Sequence, residues 1–143
     1  MIVDANVLLY AVDTGSTFHE PAHAWLERAF NGPTRVGLPW TSLTAFQLIA
    51  THPRASANPL SPEQAWSYVA DWLAAGAWVP VPTDRHAAIL GKLIIEGDLR
   101  GNLVTDAHLA ALAIEHGVGV CSMDSDFARF AGLNWVNPAM QSR

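Results

Sequence analysis

The segment Met1-Ile2-Val3-Asp4-Ala5-Asn6-Val7-Leu8-Leu9 places one aspartate between two apolar runs. A short apolar run ending in an acid reads as a buried strand with a carboxylate at its carboxyl end. An acid in that setting is largely enclosed, and an enclosed charge needs a partner of opposite sign. No Lys or Arg precedes Arg28, and none lies between Gly101 and Phe127, so the local sequence offers no salt bridge to Asp4 or to the acids at 106, 124 and 126. A cation from solution is the natural substitute.

Four further short apolar runs, Arg35–Leu38, Trp78–Val81, Val118–Ser122 and Leu133–Val136, alternate with longer segments of helical period. That alternation predicts an α/β fold with a central parallel sheet covered by helices. Ser61-Pro62-Glu63-Gln64 supplies an N-cap, a first-turn proline and a capping-box glutamine. They open a helix that carries Trp66, Val69 and Leu73 on one side and ends near Gly76. Thr83-Asp84 starts a second helix that buries Ala87, Leu90, Leu93 and Ile94. Thr105 to His116 forms a third, with Leu109, Leu112 and Ala113 inward, Gly117 as its stop and His116 in a capping role.

No linker or repeat divides the 143 residues, so one domain spanning 1–143 is expected. No apolar run reaches the roughly 18 residues that cross a bilayer, and Asp4 stands where a signal peptide carries positive charge. A soluble, cytoplasmic protein follows as the expectation. The single cysteine, Cys121, sits among apolar residues and reads as core. Eight basic against thirteen acidic residues give a net charge of −5, which argues against a protein that holds nucleic acid by bulk electrostatics. The objection weakens if several acids share a pocket, because a bound metal turns such a pocket into a phosphate-attracting site.

Asp4, Asp124 and Asp126 all follow predicted strands, and the carboxyl edge of an open α/β sheet is where ligands bind. Asp106, in the first turn of its helix, can enter from the same edge. Asp106 and Asp126 are equally suited to helix capping or to the helix dipole. Oxygen ligands without a Cys or His cluster select hard ions, Mg²⁺ or Mn²⁺, with Asp4, Asp106 and Asp124 as ligands. Such ions suit in-line cleavage of a phosphodiester. Asn6 is placed to orient a water or a phosphate oxygen, and Thr105 to hold Asp106 or to donate to phosphate, although both are also helix-capping types. His19 and His23, spaced i, i+4, lack the glutamate and third ligand of a zinc site and read as surface or packing residues.

Three segments in order, Ile2-Val3-Asp4-Ala5-Asn6-Val7-Leu8, Thr105-Asp106-Ala107-His108-Leu109-Ala110-Ala111 and Cys121-Ser122-Met123-Asp124-Ser125-Asp126-Phe127, resemble the PIN-domain nucleases, specifically VapC-type toxins of bacterial type II toxin–antitoxin modules. The likeness covers nearly the whole chain. It implies a PIN-like three-layer sandwich with about five parallel strands and Mg²⁺- or Mn²⁺-dependent endoribonuclease activity on tRNA, rRNA or mRNA. It also implies a homodimer and inhibition by a small cognate antitoxin, through which alone DNA would be engaged. One departure stands out: where many members carry a helical glutamate, Thr44-Ala45-Phe46-Gln47-Leu48 has Gln47, which brings no negative charge.

Two rival readings remain. A protein that binds RNA or a partner without cutting is permitted by Gln47. A phosphatase with an aspartyl nucleophile is disfavoured, because Asn6 replaces its second acid and no lysine follows Lys92. Six tryptophans (25, 40, 66, 72, 78 and 135) exceed what so small a core readily encloses, so some are expected in an interface.

Overall fold

A computed structural model describes residues 1–140; the last three residues of the expected 1–143 domain lie outside the described residues. Three short strands, β1 (Ile2–Val3), β2 (Val120–Cys121) and β3 (Trp135–Val136), pair in parallel in the order β1-β2-β3. Six helices surround them: α1 (Ala5–Val12), α2 (His19–Asn31), α3 (Trp40–Thr51), α4 (Pro62–Ala74), α5 (His86–Gly97) and α6 (Leu103–Glu115).

The expected strands at 35–38 and 78–81 contribute only single parallel bridges, Ile2 to Gly37 and Gly37 to Trp78. The sheet therefore has three strands rather than five, with two further segments laid beside β1. Proline explains the shortfall: Pro39, Pro80 and Pro82 have no N–H to extend a ladder, and Pro39 instead serves as the N-cap of α3. Across the sheet the segments run Trp78, Gly37, β1, β2, β3. Chain order thus reverses between β1 and β2, the switch point at which α/β sheets open a crevice.

Alternation along the strands builds three layers. Val3 and Cys121 face one side and join Leu8, Leu26, Leu43, Phe46, Val69 and Trp72 from α1 to α4. Ile2 and Val120 face the other and join Leu109, Leu112, Phe127 and Phe130. Over β1 and β2 both faces are dry, as is usual for parallel strands, while Trp135 and Val136 of β3 are partly exposed. Gly119 is needed where the chain enters β2, because an added Cβ would lie 2.5 Å from the Asn134 carbonyl oxygen.

The capping box of α4 forms as expected: Gln64 N–H donates to Ser61 Oγ and Ser61 N–H to Gln64 Oε1. Its inner side, however, is Ala65, Val69 and Trp72, which leaves Trp66 half exposed. Helix α5 starts at His86, after Thr83 and Asp84, and leaves Ala87 exposed, with Leu90, Leu93 and Ile94 only partly covered. It packs chiefly against α6, so its apolar face is broader than the surface it covers. Helix α6 begins two residues before Thr105 and is stopped at Gly117 (φ +67°), and His116 Nε2 contacts the Val81 carbonyl at 2.8 Å. Cys121 is fully buried, and burial pushes its thiol pKa up. None of the helices among the described residues is long and apolar enough to cross a membrane.

Candidate active site

β1 and β2 end side by side at the switch point, and an acid that starts the next element follows each, Asp4 directly after β1 and Asp124 after Ser122 and Met123. Asp4 caps α1, accepting from Ala5 N–H at 2.8 Å. Asp124 caps the 3₁₀ turn Ser125–Arg129, accepting from Asp126 N–H at 2.9 Å. The capping role and a place in the crevice coexist, because both follow from a carboxylate at a helix start.

Ser122, fully buried at the end of β2, joins the two ends. Its hydroxyl donates to Asp4 Oδ2 at 2.7 Å and accepts from Asn6 Nδ2 at 3.1 Å and from Asp124 N–H at 3.0 Å. One donor and two acceptor positions are thereby all used. Asn6 donates also to Asp4 Oδ2 (3.3 Å) and accepts from Met123 N–H (3.2 Å), so its amide is spent on positioning the loop and the acid. Sequence reasoning passed over Ser122; the signal was a polar residue ending an apolar strand two positions before an acid.

Asp106, from the first turn of α6, meets Asp124 and Asp126, and a carboxylate oxygen from each lies within 4.8 Å of the others. Ligand oxygens on opposite sides of a small bound ion lie about 4.2 Å apart, so these three acids are the residues that could hold a metal ion. Asp4 falls outside that tight group, its two oxygens engaged by Ala5, Ser122 and Asn6. It remains electrostatically coupled to it. Burial, then the charges of Asp124, Asp4 and Asp126, push the Asp106 pKa up to about 6 against a smaller opposing pull from Arg129. Burial also raises Asp4, more than its hydrogen bonds from Ser122 and Ala5 lower it, and Asp124 adds to the rise.

A local cation does exist, contrary to the expectation from sequence. Arg129 reaches Asp126 Oδ1 at 3.5 Å across one turn, just beyond the segment without basic residues. Both side chains are about half exposed, so this pair is weak and leaves most of the cluster's charge uncompensated.

Thr105 is exposed, and its hydroxyl donates to the Asn102 carbonyl within its own helix start (2.8 Å). Gln47 donates from Nε2 to the Pro62 carbonyl at 3.0 Å, tying α3 to the start of α4, while its Oε1 is buried without a hydrogen-bond partner. On the far side of α6, the fully buried Glu115 accepts from Thr83 N–H and His86 Nδ1, and His86 Nε2 pairs with His108 Nδ1 at 3.1 Å. Exposed His23 lies 3.7 Å from Glu27, and His19 Nδ1 bonds the Tyr10 carbonyl, so both behave as surface and packing residues.

A family model described as the PIN domain matches residues 1–133. The chain is 51% identical over 138 residues to Ribonuclease VapC37 of Mycobacterium tuberculosis, covering 96% of each chain. Among solved structures, VapC20 of M. tuberculosis, described as a Sarcin-Ricin loop cleaving toxin, matches with a TM-score of 0.70 at 18% identity over 93% of this chain and 95% of that one. VapBC2 of Rickettsia felis, solved bound to a DNA fragment from its promoter, matches with a TM-score of 0.69 at 18% identity, over 95% and 96%. At that identity the two structures speak for the fold.

Proposed function

We propose that this chain, which belongs to the PIN-domain family and within it to the VapC ribonucleases, is the RNA-cleaving toxin of a toxin–antitoxin pair and acts through a divalent metal ion, Mg²⁺ or Mn²⁺. The observation that carries the metal reading is the convergence of Asp106, Asp124 and Asp126 beside Asp4 at the sheet's switch point.

Asp106, Asp124 and Asp126 are the residues spaced to hold an ion, and Asp4 adds a fourth charge to the same crevice. When bound, the ion supplies an activated water and neutralises the phosphate oxygens of the scissile bond. Without a cation these carboxylates repel a phosphodiester, which reconciles the net charge of −5 with an RNA substrate. Ser122 and Asn6 fix the Asp4 carboxylate, so its geometry is set before substrate arrives. The set of acids comes together without Gln47, whose amide is held by Pro62. A protein that binds without cutting is accordingly not favoured.

A small antitoxin that places a basic side chain among the acids would compete with the ion, and any contact with DNA would run through that antitoxin. A homodimer in the cytoplasm, acting on tRNA, rRNA or mRNA, completes the reading. Incubation of the purified protein with total RNA or tRNA tests it: cleavage should be abolished by EDTA and restored by Mg²⁺ or Mn²⁺. Full activity in EDTA would contradict the metal mechanism.

A further inference from the structure

Two of the six tryptophans, Trp40 and Trp66, are left largely outside the core. Trp40 and Trp66 are 46% and 50% exposed, and their rings stack with centroids 6.3 Å apart and planes 9° from parallel. Their exposure is built into the fold. Ala65, Val69 and Trp72 occupy the inner side of α4, so Trp66 must face out. Trp40 is the first residue of α3, directly after the buried Pro39, and Thr44 Oγ1 donates to its carbonyl at 2.6 Å.

Register places the backbone of Trp40 beside Asp4. Ile2 pairs with Gly37, and two residues further on Asp4 and Pro39 are both still extended, so the neighbouring segments end level with each other. Adjacent strands lie about 4.8 Å apart. Trp40 therefore emerges one residue past the level of Asp4, on the next segment of the same carboxyl edge.

We infer that the Trp40–Trp66 pair is a stacking platform for an unpaired base of the RNA substrate, positioning the strand as it enters the acidic crevice. The inference rests on the ribonuclease reading above and deepens it. Net charge argues for it: a chain of −5 has little bulk attraction for the RNA backbone, so part of the binding must come from contacts that do not depend on positive charge. Aromatic stacking is such a contact, and it tolerates any sequence because every base has a π-face. It also demands a single-stranded site, since a base inside a duplex has no free face. A parallel, pre-stacked indole pair held on two helices loses little freedom when a base is added to it.

The test uses the full chain carrying Asp4→Asn, which leaves the Asp106, Asp124 and Asp126 set available to the ion, with Mg²⁺ present and the RNA verified as intact after each titration. The probes are a single-stranded oligoadenylate and an RNA duplex of equal length. Oligoadenylate should quench tryptophan emission, and Trp40→Ala with Trp66→Ala should weaken its binding about tenfold. Trp40→Phe should weaken it less, and Ile95→Ala, at an exposed apolar site on α5, should leave it unchanged. Duplex binding should not respond to any of the three variants. Unchanged oligoadenylate affinity in the double variant would overturn the platform, as would a wild-type Trp40–Trp66 pair that gives no binding at all. A loss of affinity that accompanies loss of self-association in sedimentation would also overturn it, marking the pair as an interface between copies. Cleavage of RNA by the unmodified protein is scored separately: if it persists while the platform fails, the ribonuclease reading stands.

Discussion

Ser122 Oγ donates to Asp4 Oδ2 at 2.7 Å, so the residue that follows β2 holds the carboxylate that follows β1. Ser122→Ala should strand three partners at once: the Asp4 carboxylate, Asn6 Nδ2 and Asp124 N–H. A loss of about 1–3 kcal/mol in denaturant unfolding is expected, together with reduced cleavage. Unchanged stability would mean that the hydroxyl contributes nothing to joining the two strand ends.

Asp106 and Asp4 predict a pH dependence for the metal-free protein. Both have folded-state pKa values above those of the unfolded chain, Asp106 at about 6. Their contribution to stability is therefore fully present below the unfolded carboxylate value near pH 4 and is lost as pH rises through about 6. Melting temperature in EDTA should fall across that window relative to the Asp106→Asn variant, and Mg²⁺ should narrow the gap above it. Parallel pH profiles for the two proteins would contradict the raised Asp106 pKa.

Gln47 stands where the family resemblance leads one to expect a helical glutamate, yet its amide donates to the Pro62 carbonyl. Gln47→Ala should cost about 1 kcal/mol in unfolding free energy by releasing α4 from α3 and should leave cleavage within a few-fold of normal. A loss of activity far beyond that, without a change in stability, would instead assign Gln47 to the chemistry.

Glu115 is fully buried and accepts from Thr83 N–H and His86. Burial pushes its pKa up, but those hydrogen bonds outweigh burial and hold it below the usual carboxylate value. Its stabilising contribution is thus present above the unfolded pKa and is lost as pH falls through the lower folded value. Glu115→Ala should destabilise the α5–α6 side by on the order of 3 kcal/mol, measured by urea unfolding.

The acids were legible in the sequence because each follows a short apolar run or opens a periodic one, which places it at a strand end or a helix start. The α/β class was legible for the same reason. Local pattern could not show that Pro39, Pro80 and Pro82 would reduce two expected strands to single bridges, since that depends on which N–H groups face a neighbour. Ser122 and Glu115 were hidden because their partners lie 118 and 29 residues away in the chain. Periodicity groups Trp66 with Val69 and Leu73 on one side of its helix without saying how much of that side finds a partner, and the buried side is instead Ala65, Val69 and Trp72. The tight group of Asp106, Asp124 and Asp126, with Asp4 beside it, likewise depends on how the 3₁₀ turn after β2 aims its first residues.

Titration of Mn²⁺ into the metal-free protein, followed by melting temperature, tests the metal site most directly. The wild-type protein should be stabilised on binding, because the ion binds only the folded state. Asp106→Asn, Asp124→Asn and Asp126→Asn should each melt at an equal or higher temperature without metal, lose most of the Mn²⁺ response and abolish cleavage. If all three instead melt lower and keep the full Mn²⁺ response, the carboxylates serve only as helix caps and no common metal site exists.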